Sequence, residues 1–500
     1  MSNIREVMDL TLYDEASQLR DGLNIRRNIL PSAQASPIYS IWYAFLSFFI
    51  PNTIDIYYVN WLFLTIALPV VMYLLLVELK LNPAISYTIS MIFLYSGFNY
   101  PLWPKTNNFG LFIIITSALI LKKINPSKIK HSVDFYIFLF FIGSFLRPEF
   151  LVSGVLYILL NLNNLRIRPT FERLLYFIIA FSFISLFGFP FGNRLTGAFG
   201  QHFVVNYVEN NNLDIIAWDS YNSIISQVFE GGDNLFEYML INPQAFFGHM
   251  IFNAKRIPVS FLSYFKPFNE ETYYVAITTF YLFLIFTFLI FYYKKNIFKK
   301  LGSETSIKTF LQNNINKVLI SIITPYLITA VLIYPRGHYF LYIFLGMMIL
   351  IAYNFKNFLN VPFEKSSRIV LFSFILVLFS ITHINSQDKG EKYVLEISSF
   401  INEYTTAKDI SKVTIFSGDG NYCIYVNKNC EHNPNLGNTS DYLLYLESNE
   451  IDIIILSQRL LKSNEVDNPG GPEVLVSNLK TLEYEKQKTI WDTEIYVLSR

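Results

Sequence analysis

Tyr13-Asp14-Glu15-Ala16-Ser17 sets two carboxylates side by side, ahead of the apolar part of a 500-residue chain. A carboxylate at a membrane mouth can take the proton of a hydroxyl and aim its oxygen at an electrophile, which is general-base chemistry. Partial burial would raise its proton affinity and suit it to that task. The plainer alternative is the solvated face of a leading helix. Three cations could complete a site for a leaving phosphate. They are Lys105 in Pro104-Lys105-Thr106-Asn107-Asn108, Arg147 in Leu146-Arg147-Pro148-Glu149-Phe150, and Arg336 in Tyr334-Pro335-Arg336-Gly337-His338-Tyr339. Their plainer roles are an Arg147–Glu149 ion pair and interfacial anchoring by Arg336.

These residues need elements to position them, and composition says of what kind. With 52% hydrophobic and 17% aromatic residues, only 15% charged and a mean hydropathy of +0.35, the chain reads as an integral membrane protein. A net charge of +1 offers no basic excess for nucleic acid. Ten apolar segments are candidate spans: Ile54–Val77, Ala84–Phe98, Phe109–Leu121, Ser132–Leu146, Phe150–Leu162, Leu174–Phe191, Thr272–Tyr293, Val318–Tyr334, Phe340–Tyr353 and Ile369–His383. Several fall short of the roughly 20 residues of an upright crossing, which packing around a cavity tolerates.

Charge sets the orientation. Lys80, Lys122, Lys123, Lys128, Lys130, Arg166, Arg168, Arg173, Lys294, Lys295, Lys299, Lys300, Lys308, Lys356, Lys365 and Arg368 fall in one set of alternate loops, which is therefore cytoplasmic. Reading Ser132 to Leu162 as one helix broken at Pro148 would split these loops between the two faces. The acidic pair, Lys105, Arg147, Arg336, the long loop 192–271 and the tail after His383 then all lie outside. That loop opens on Gly192-Asn193-Arg194 and carries His202 and His249, where Arg194 and His202 can meet acceptor or phosphate and structural roles are the alternative.

The N-terminal stretch Met8–Arg20 has a helical pattern, with Asp9 or Thr11 to cap it, Leu12, Ala16 and Leu19 on one face and Gly22 as a stop. Ser36–Tyr43 is an aromatic-rich interfacial helix with Trp42 and Tyr43 at headgroup depth. From about Asn385 the tail is a small α/β domain, with strands at Lys412–Phe416, Asp452–Leu456 and Glu494–Leu498 and a helix at Asp441–Ser448. Its Ser417-Gly418-Asp419-Gly420-Asn421 run lacks the third glycine of a nucleotide fingerprint and reads as a turn. Cys423 and Cys430, the two cysteines of the chain, can form a disulfide if this domain is outside, or stay as free thiols. No spaced ligand set points to a metal, and a divalent ion stays open.

The segments Tyr13–Ile25 and Leu30–Tyr43 together resemble the first outer loop of GT-C glycosyltransferases, the superfamily of protein O-mannosyltransferases and bacterial aminoarabinose transferases. There an Asp-Glu pair is followed by a polar turn and a Pro-x-Tyr lead into a helix. Arg147-Pro148-Glu149 and the Pro-Arg-x-x-Tyr step at 335–339 also look like elements of the bacterial members. The resemblance implies a polytopic α-helical membrane protein with an acidic-pair loop at 1–53, a helical bundle at 54–384 and a soluble extracytoplasmic α/β domain at 385–500. It implies transfer of a sugar from a polyprenyl-phosphate donor, in the cytoplasmic membrane, to a hydroxyl on an acceptor glycan, lipid or protein. Asp14 would be the base and Glu15 its acidic neighbour. Lys105, Arg147, Arg336 and His338 would meet the donor phosphate, and Arg194, His202 and Tyr339 the acceptor side. The family carries a span before the acidic pair; here thirteen residues precede Asp14, so an upstream segment is expected. A lipid-linked saccharide transporter and an envelope polysaccharide ligase or polymerase stay open as alternatives.

Overall fold

Apolar residues run without a polar stripe from Thr53 to Glu78, and they form one continuous helix. The computed structural model describes residues 4–99, 104–124, 129–164, 171–190, 192, 194–213, 215, 217–218, 220–264, 313–354, 356, 392–417, 420–433, 446, 448–457, 476–477, 479, 481–490 and 492–498. Within them the helices are α1 (Ile4–Val7), α2 (Asp14–Ile25), α3 (Pro37–Ser47), α4 (Thr53–Glu78), α5 (Pro83–Tyr95), α6 (Thr106–Ile124), α7 (Ile129–Gly143), α8 (Glu149–Leu160), α9 (Phe171–Phe187), α10 (Arg194–Asn210), α11 (Tyr221–Phe229), α12 (Leu235–Ile241), α13 (Pro243–Ser263), α14 (Asn314–Leu332), α15 (Gly337–Asn354) and α16 (Tyr393–Ala407). Three of these, α4, α14 and α15, are long and apolar enough to cross a membrane. The expected spans at Thr272–Tyr293 and Ile369–His383 lie outside the described residues.

The chain breaks where the sequence places Arg147. Helices α7 and α8 are separate and antiparallel: Phe140 packs on Phe150 and Tyr157, and Tyr136 on Tyr157. Arg147 thus sits at the tip of a helical hairpin. A second hairpin, α14–α15, carries Arg336 at its tip, with Tyr326 stacked on Tyr342 at 3.7 Å and Asn316 paired with Asn354 about three turns further on. The hairpins pack with tips together, since Phe150 meets Tyr326 and Tyr342 while the Tyr157 hydroxyl donates to Asn314 at the far end. Lys122 and Lys123 close α6, and the Arg173–Asp134 pair links the starts of α9 and α7, at the end opposite the tips.

Pro69 lies inside α4. Its missing N–H strips the Thr65 carbonyl of its helical partner, and Asn99 Nδ2 donates to that carbonyl at 2.9 Å instead. A buried polar group thereby regains a partner, which an apolar setting requires. The same substitution of side chain for backbone ties α4 to the segment that leads into α6.

Gly22 does not end a helix, as α2 continues to Ile25. Its work is close approach: a Cβ there would come within 2.6 Å of the Tyr43 Cβ and 2.7 Å of the Ser40 carbonyl on α3. Nor do Trp42 and Tyr43 turn to a headgroup layer. The Trp42 indole donates to Asn60, Tyr43 is fully buried, and α3 with the turn that follows it instead exposes Ile41, Phe45, Phe48 and Phe49. The i, i+4, i+7 spacing of this outer stripe is that of a helix lying on an apolar surface.

The C-terminal domain is a five-stranded mixed sheet of β1 (Lys412–Ser417), β2 (Asn429–Asn433), β3 (Ile453–Leu456), β4 (Tyr484–Ile490) and β5 (Thr493–Leu498), ordered β2-β1-β3-β5-β4. β1 pairs in parallel with β2 and β3, and β5 antiparallel with β3 and β4. The continuous apolar run of β3 is explained by burial on both faces: Ile453 and Ile455 join the cluster that includes α16, while Ile454 and Leu456 face Phe416 and Leu446. Edge strand β4 exposes Glu485, Lys486, Gln487 and Lys488, which discourages pairing with other chains. The sequence pattern misses β2 and β4, which are polar. The helix expected at Asp441–Ser448 lies, apart from Leu446 and Ser448, outside the described residues, as do Gly418 and Asp419. Cys423 and Cys430 are joined in a disulfide.

Asp9 is a cap, but for α16 rather than for α2. Its carboxylate accepts the amides of Val394 and Leu395 at 2.8 Å each, two of the orphan donors of a helix N-terminus. Burial raises its pKa, and these amides pull against the rise. The Tyr425 hydroxyl donates to the Thr11 carbonyl, and Tyr58 to that of Met8. Residues 8–12 are thus clamped between the sheet domain and α4. Gly22→Ala is expected to destabilise the protein by about 1–3 kcal/mol through overpacking, seen as a lower melting temperature in detergent, whereas Gly197→Ala, where an added Cβ meets nothing, leaves it unchanged.

Candidate functional site

The two neighbouring carboxylates part company on α2. A helix turns 100° per residue, so Glu15 faces inward at 2% exposure while Asp14 is exposed. Glu15 Oε1 accepts the hydroxyls of Tyr39 and Tyr43, one turn apart on α3. Its Oε2 accepts the backbone amide of Lys105 at 2.7 Å. Asn60, buried on α4, donates to both tyrosine oxygens at 2.7 and 2.9 Å, and its Oδ1 takes the Trp42 indole N–H at 2.7 Å. Next to it Gln18 Oε1 accepts the Thr106 hydroxyl. One carboxylate thus ties α2, α3, α4 and the lead into α6. Burial pushes the Glu15 pKa up, and the tyrosine hydroxyls, the Lys105 amide and the Lys105 charge oppose the rise.

Lys105 is turned inward as well, at 1% exposure. Its ammonium donates to the Asn99 carbonyl at 2.6 Å and lies 4.7 Å from the Trp61 ring centre. Burial lowers its pKa to about 7, against the attraction of Glu15. Neither Glu15 nor Lys105 presents a free group to solvent. The expected acidic neighbour and the expected phosphate donor form a tie beneath the surface, because the desolvated carboxylate draws every nearby donor to itself.

The other expected residues converge at the hairpin tips. Arg194, at the start of α10, is the hub: Arg147 repels its charge, and Glu149 and Asp14 attract it. Burial and Arg147 lower its pKa. Its Nη1 donates to the Gln34 carbonyl at 2.6 Å, and Gly192 leaves room for the Gln34 side chain where a Cβ would not. Arg147 forms an ion pair with Glu149 at 3.6 Å, both nearly buried, and lies 5.8 Å from the Tyr339 ring. The Ser36 hydroxyl donates to the Leu146 carbonyl at 2.8 Å, which pins the start of α3, and through it α2, beside Arg147. His338 lies within electrostatic range of Arg147, Arg336, His202 and Arg194.

His202 packs face to face with Tyr334 at 5.0 Å and edge-on to Trp218 at 5.5 Å, and the Arg336 guanidinium is 6.0 Å from the Trp218 ring. Burial, with Arg336 and His249, lowers the His202 pKa to about 3. It is therefore a neutral hydrogen-bonding group and adds no charge. His249 belongs to a buried network with Asn206, Asn253 and the Ile333 carbonyl, which holds α13 against the tip of α14.

Three buried polar atoms here have no partner: Arg147 Nε, Glu149 Oε2 and His202 Nδ1. Orphans are costly unless something else satisfies them. Among the described residues no three His, Cys, Asp or Glu side chains converge as a metal set. The cluster therefore offers three arginines, two carboxylates, the imidazoles of His202 and His338 and an exposed indole, a set suited to a phosphorylated ligand bearing hydroxyls. Trp218 escaped sequence reasoning, and its flanks carry no motif; Gln34 and Tyr334 lie in segments the sequence singled out, but neither was assigned a role there. The partners of Glu15 were more legible, since Tyr39 and Tyr43 share a helix face and Asn60 is a polar residue in a span.

No protein-family model, curated protein or solved structure matches this chain.

Lys105 makes a pH test. Its folded pKa, about 7, lies below its ordinary 10.5, so the unfolded chain binds more protons between these values and stability rises with pH across that window. Below about pH 7 that contribution is gone. Melting temperature in detergent is expected to climb from pH 7 to 10 by more in the native protein than in Lys105→Gln; equal slopes would mean that Lys105 is not held as described.

Proposed function

We propose that the chain is a multi-pass membrane glycosyltransferase of GT-C type, moving a sugar from a polyprenyl-phosphate donor to an acceptor hydroxyl at the outer face of the cytoplasmic membrane. The observation that carries this reading is that Arg147, Arg194 and Arg336 all lie within electrostatic range of His338 at one end of the bundle, with the exposed Asp14 in range of Arg194. Asp14 accepts the proton of the acceptor hydroxyl as its oxygen attacks the anomeric carbon. The bond from that carbon to the phosphate oxygen breaks, and its electron pair leaves with the lipid phosphate. The attack comes from the opposite side, so the anomeric centre inverts. Arg147, Arg194 and Arg336 stabilise the phosphate charge as it develops. Glu15 acts at a distance by fixing the orientation of α2.

Sidedness has independent support. The Cys423–Cys430 disulfide suits an oxidising compartment. The sheet domain that holds it is clamped to residues 8–12, next to the acidic helix, while Lys122 and Lys123 gather at the opposite end. Together these support an extracytoplasmic C-terminal domain.

A second reading is favoured by the excess of arginines over carboxylates in the cluster: an envelope polysaccharide ligase on a lipid-pyrophosphate donor, which needs no base at position 14. One variant separates the two. Asp14→Asn is expected to cut sugar transfer in isolated membranes by about 100-fold or more with protein abundance intact, and Arg194→Ala to raise the donor KM. Transfer unchanged in Asp14→Asn rejects the base and leaves the ligase reading.

A further inference from the structure

Helices α12 and α13 turn two of their polar side chains inward: His249 is 5% exposed and Asn253 fully buried, bonded to Asn206 on α10 and to the carbonyls of Val331 and Ile333, while Gln244 and Lys255 of α13 are exposed. Their outer surface carries Phe236 (64% exposed), Leu240 (62%) and Ile241 on α12, then Phe247, Ile251 (56%) and Val259 (67%) on α13. At 100° per residue these residues fall within about 140° of α12 and about 120° of α13, one broad side of each helix. Water disfavours such a surface, and contiguous apolar patches of this kind mark a partner.

The C-terminal domain shows what the aqueous surface of this chain looks like. Among its described residues, Val476 is the sole large apolar side chain with comparable exposure. The surfaces of the long apolar helices match α12 and α13 instead, with Ile66 and Val70 outward on α4 and Leu327 and Ile328 on α14. Position agrees with pattern. Phe261 of α13 packs on Phe340 and Phe344 of α15 and on Phe98, and Phe246 lies in one cluster with Leu332 at the end of α14. α13 thus packs directly on α15 and beside the end of α14, two helices able to cross the membrane. Lys255, exposed on α13, has the reach to set its ammonium among lipid phosphates while its stem stays in an apolar layer.

We infer that α12 and α13 lie in the outer leaflet, with Phe236, Leu240, Phe247 and Ile251 among acyl chains, so that the segment 235–259 is a membrane-embedded hairpin and not an aqueous loop. This surface requires only the bilayer and stands independently of the catalytic reading. Its consequence for that reading is geometric. The His249 network joins α13 to the 331–333 carbonyls, next to Arg336, so acyl chains border the cationic cluster on this flank and a lipid-borne ligand has a lateral approach to it.

The test uses the full-length protein in vesicles of phosphatidylcholine and phosphatidylglycerol. Both native cysteines are in the disulfide, so Leu240→Cys, Ile251→Cys, Leu159→Cys and Gln487→Cys can each carry one nitroxide. Labels at 240 and 251 are expected to collide with oxygen and be shielded from a water-soluble nickel chelate, several-fold so relative to exposed Gln487 on β4, and to match exposed Leu159 on α8. Nickel access equal to that at 487 overturns the inference in favour of an aqueous loop. Shielding from both reagents overturns it in favour of a protein partner on this face.

Discussion

Everything at the acidic end of this protein hangs on one buried carboxylate. Glu15 gathers two tyrosine hydroxyls and a backbone amide, and Asn60 closes the ring through the tyrosine oxygens. In a low-dielectric setting each of these bonds is stronger than in water, and each would be costly to leave unmade. The tie therefore has few alternative arrangements, and it orients three helices at once. Asp14, one residue earlier, inherits a fixed position without taking part.

A second constraint comes from packing. Between apolar helices surrounded by lipid, contact and hydrogen bonding replace the hydrophobic drive, and the aromatic stacks of Tyr326, Tyr342 and Phe150 bring two hairpin tips together. Arg147 and Arg336 come to the same end of the bundle because their hairpins pack with tips together, and both lie within electrostatic range of His338. The repulsion among the arginines at that end is held in place by this packing and by the carboxylates Glu149 and Asp14. A cluster of like charges that the fold assembles against its own repulsion is a familiar mark of a binding site.

The third element is the clamp of residues 8–12 by the sheet domain. The segment just ahead of α2 is gripped by α16 through Asp9 and by Tyr425 through Thr11, so movement of the C-terminal domain would be felt at Asp14 within a few residues. The domain thus reads less as an appendage than as one wall of the acidic end.

Much of the architecture was legible beforehand. Apolar runs located α4 to α9, α14 and α15, because helix and span follow from local composition and length, and the loop charges favoured two helices over one broken at Pro148. Of the loop cations, Lys122 and Lys123 close α6 and Arg173 pairs with Asp134 at the end away from the hairpin tips. Strands β1, β3 and β5 were visible as apolar runs; β2 and β4, polar and at the edges, were not. The sequence by itself determined which residues could do chemistry: Asp14, Arg147, Arg194, Arg336 and His338 were all nameable from type and neighbours. Only the tertiary structure decided that Asp14 faces out and Glu15 in, that Lys105 is buried with its amide on Glu15 and its ammonium on the Asn99 carbonyl, and that Asp9 caps a helix 385 residues away. Those outcomes depend on desolvation and on contacts between distant segments, and neither is encoded in the spacing of residues along the chain.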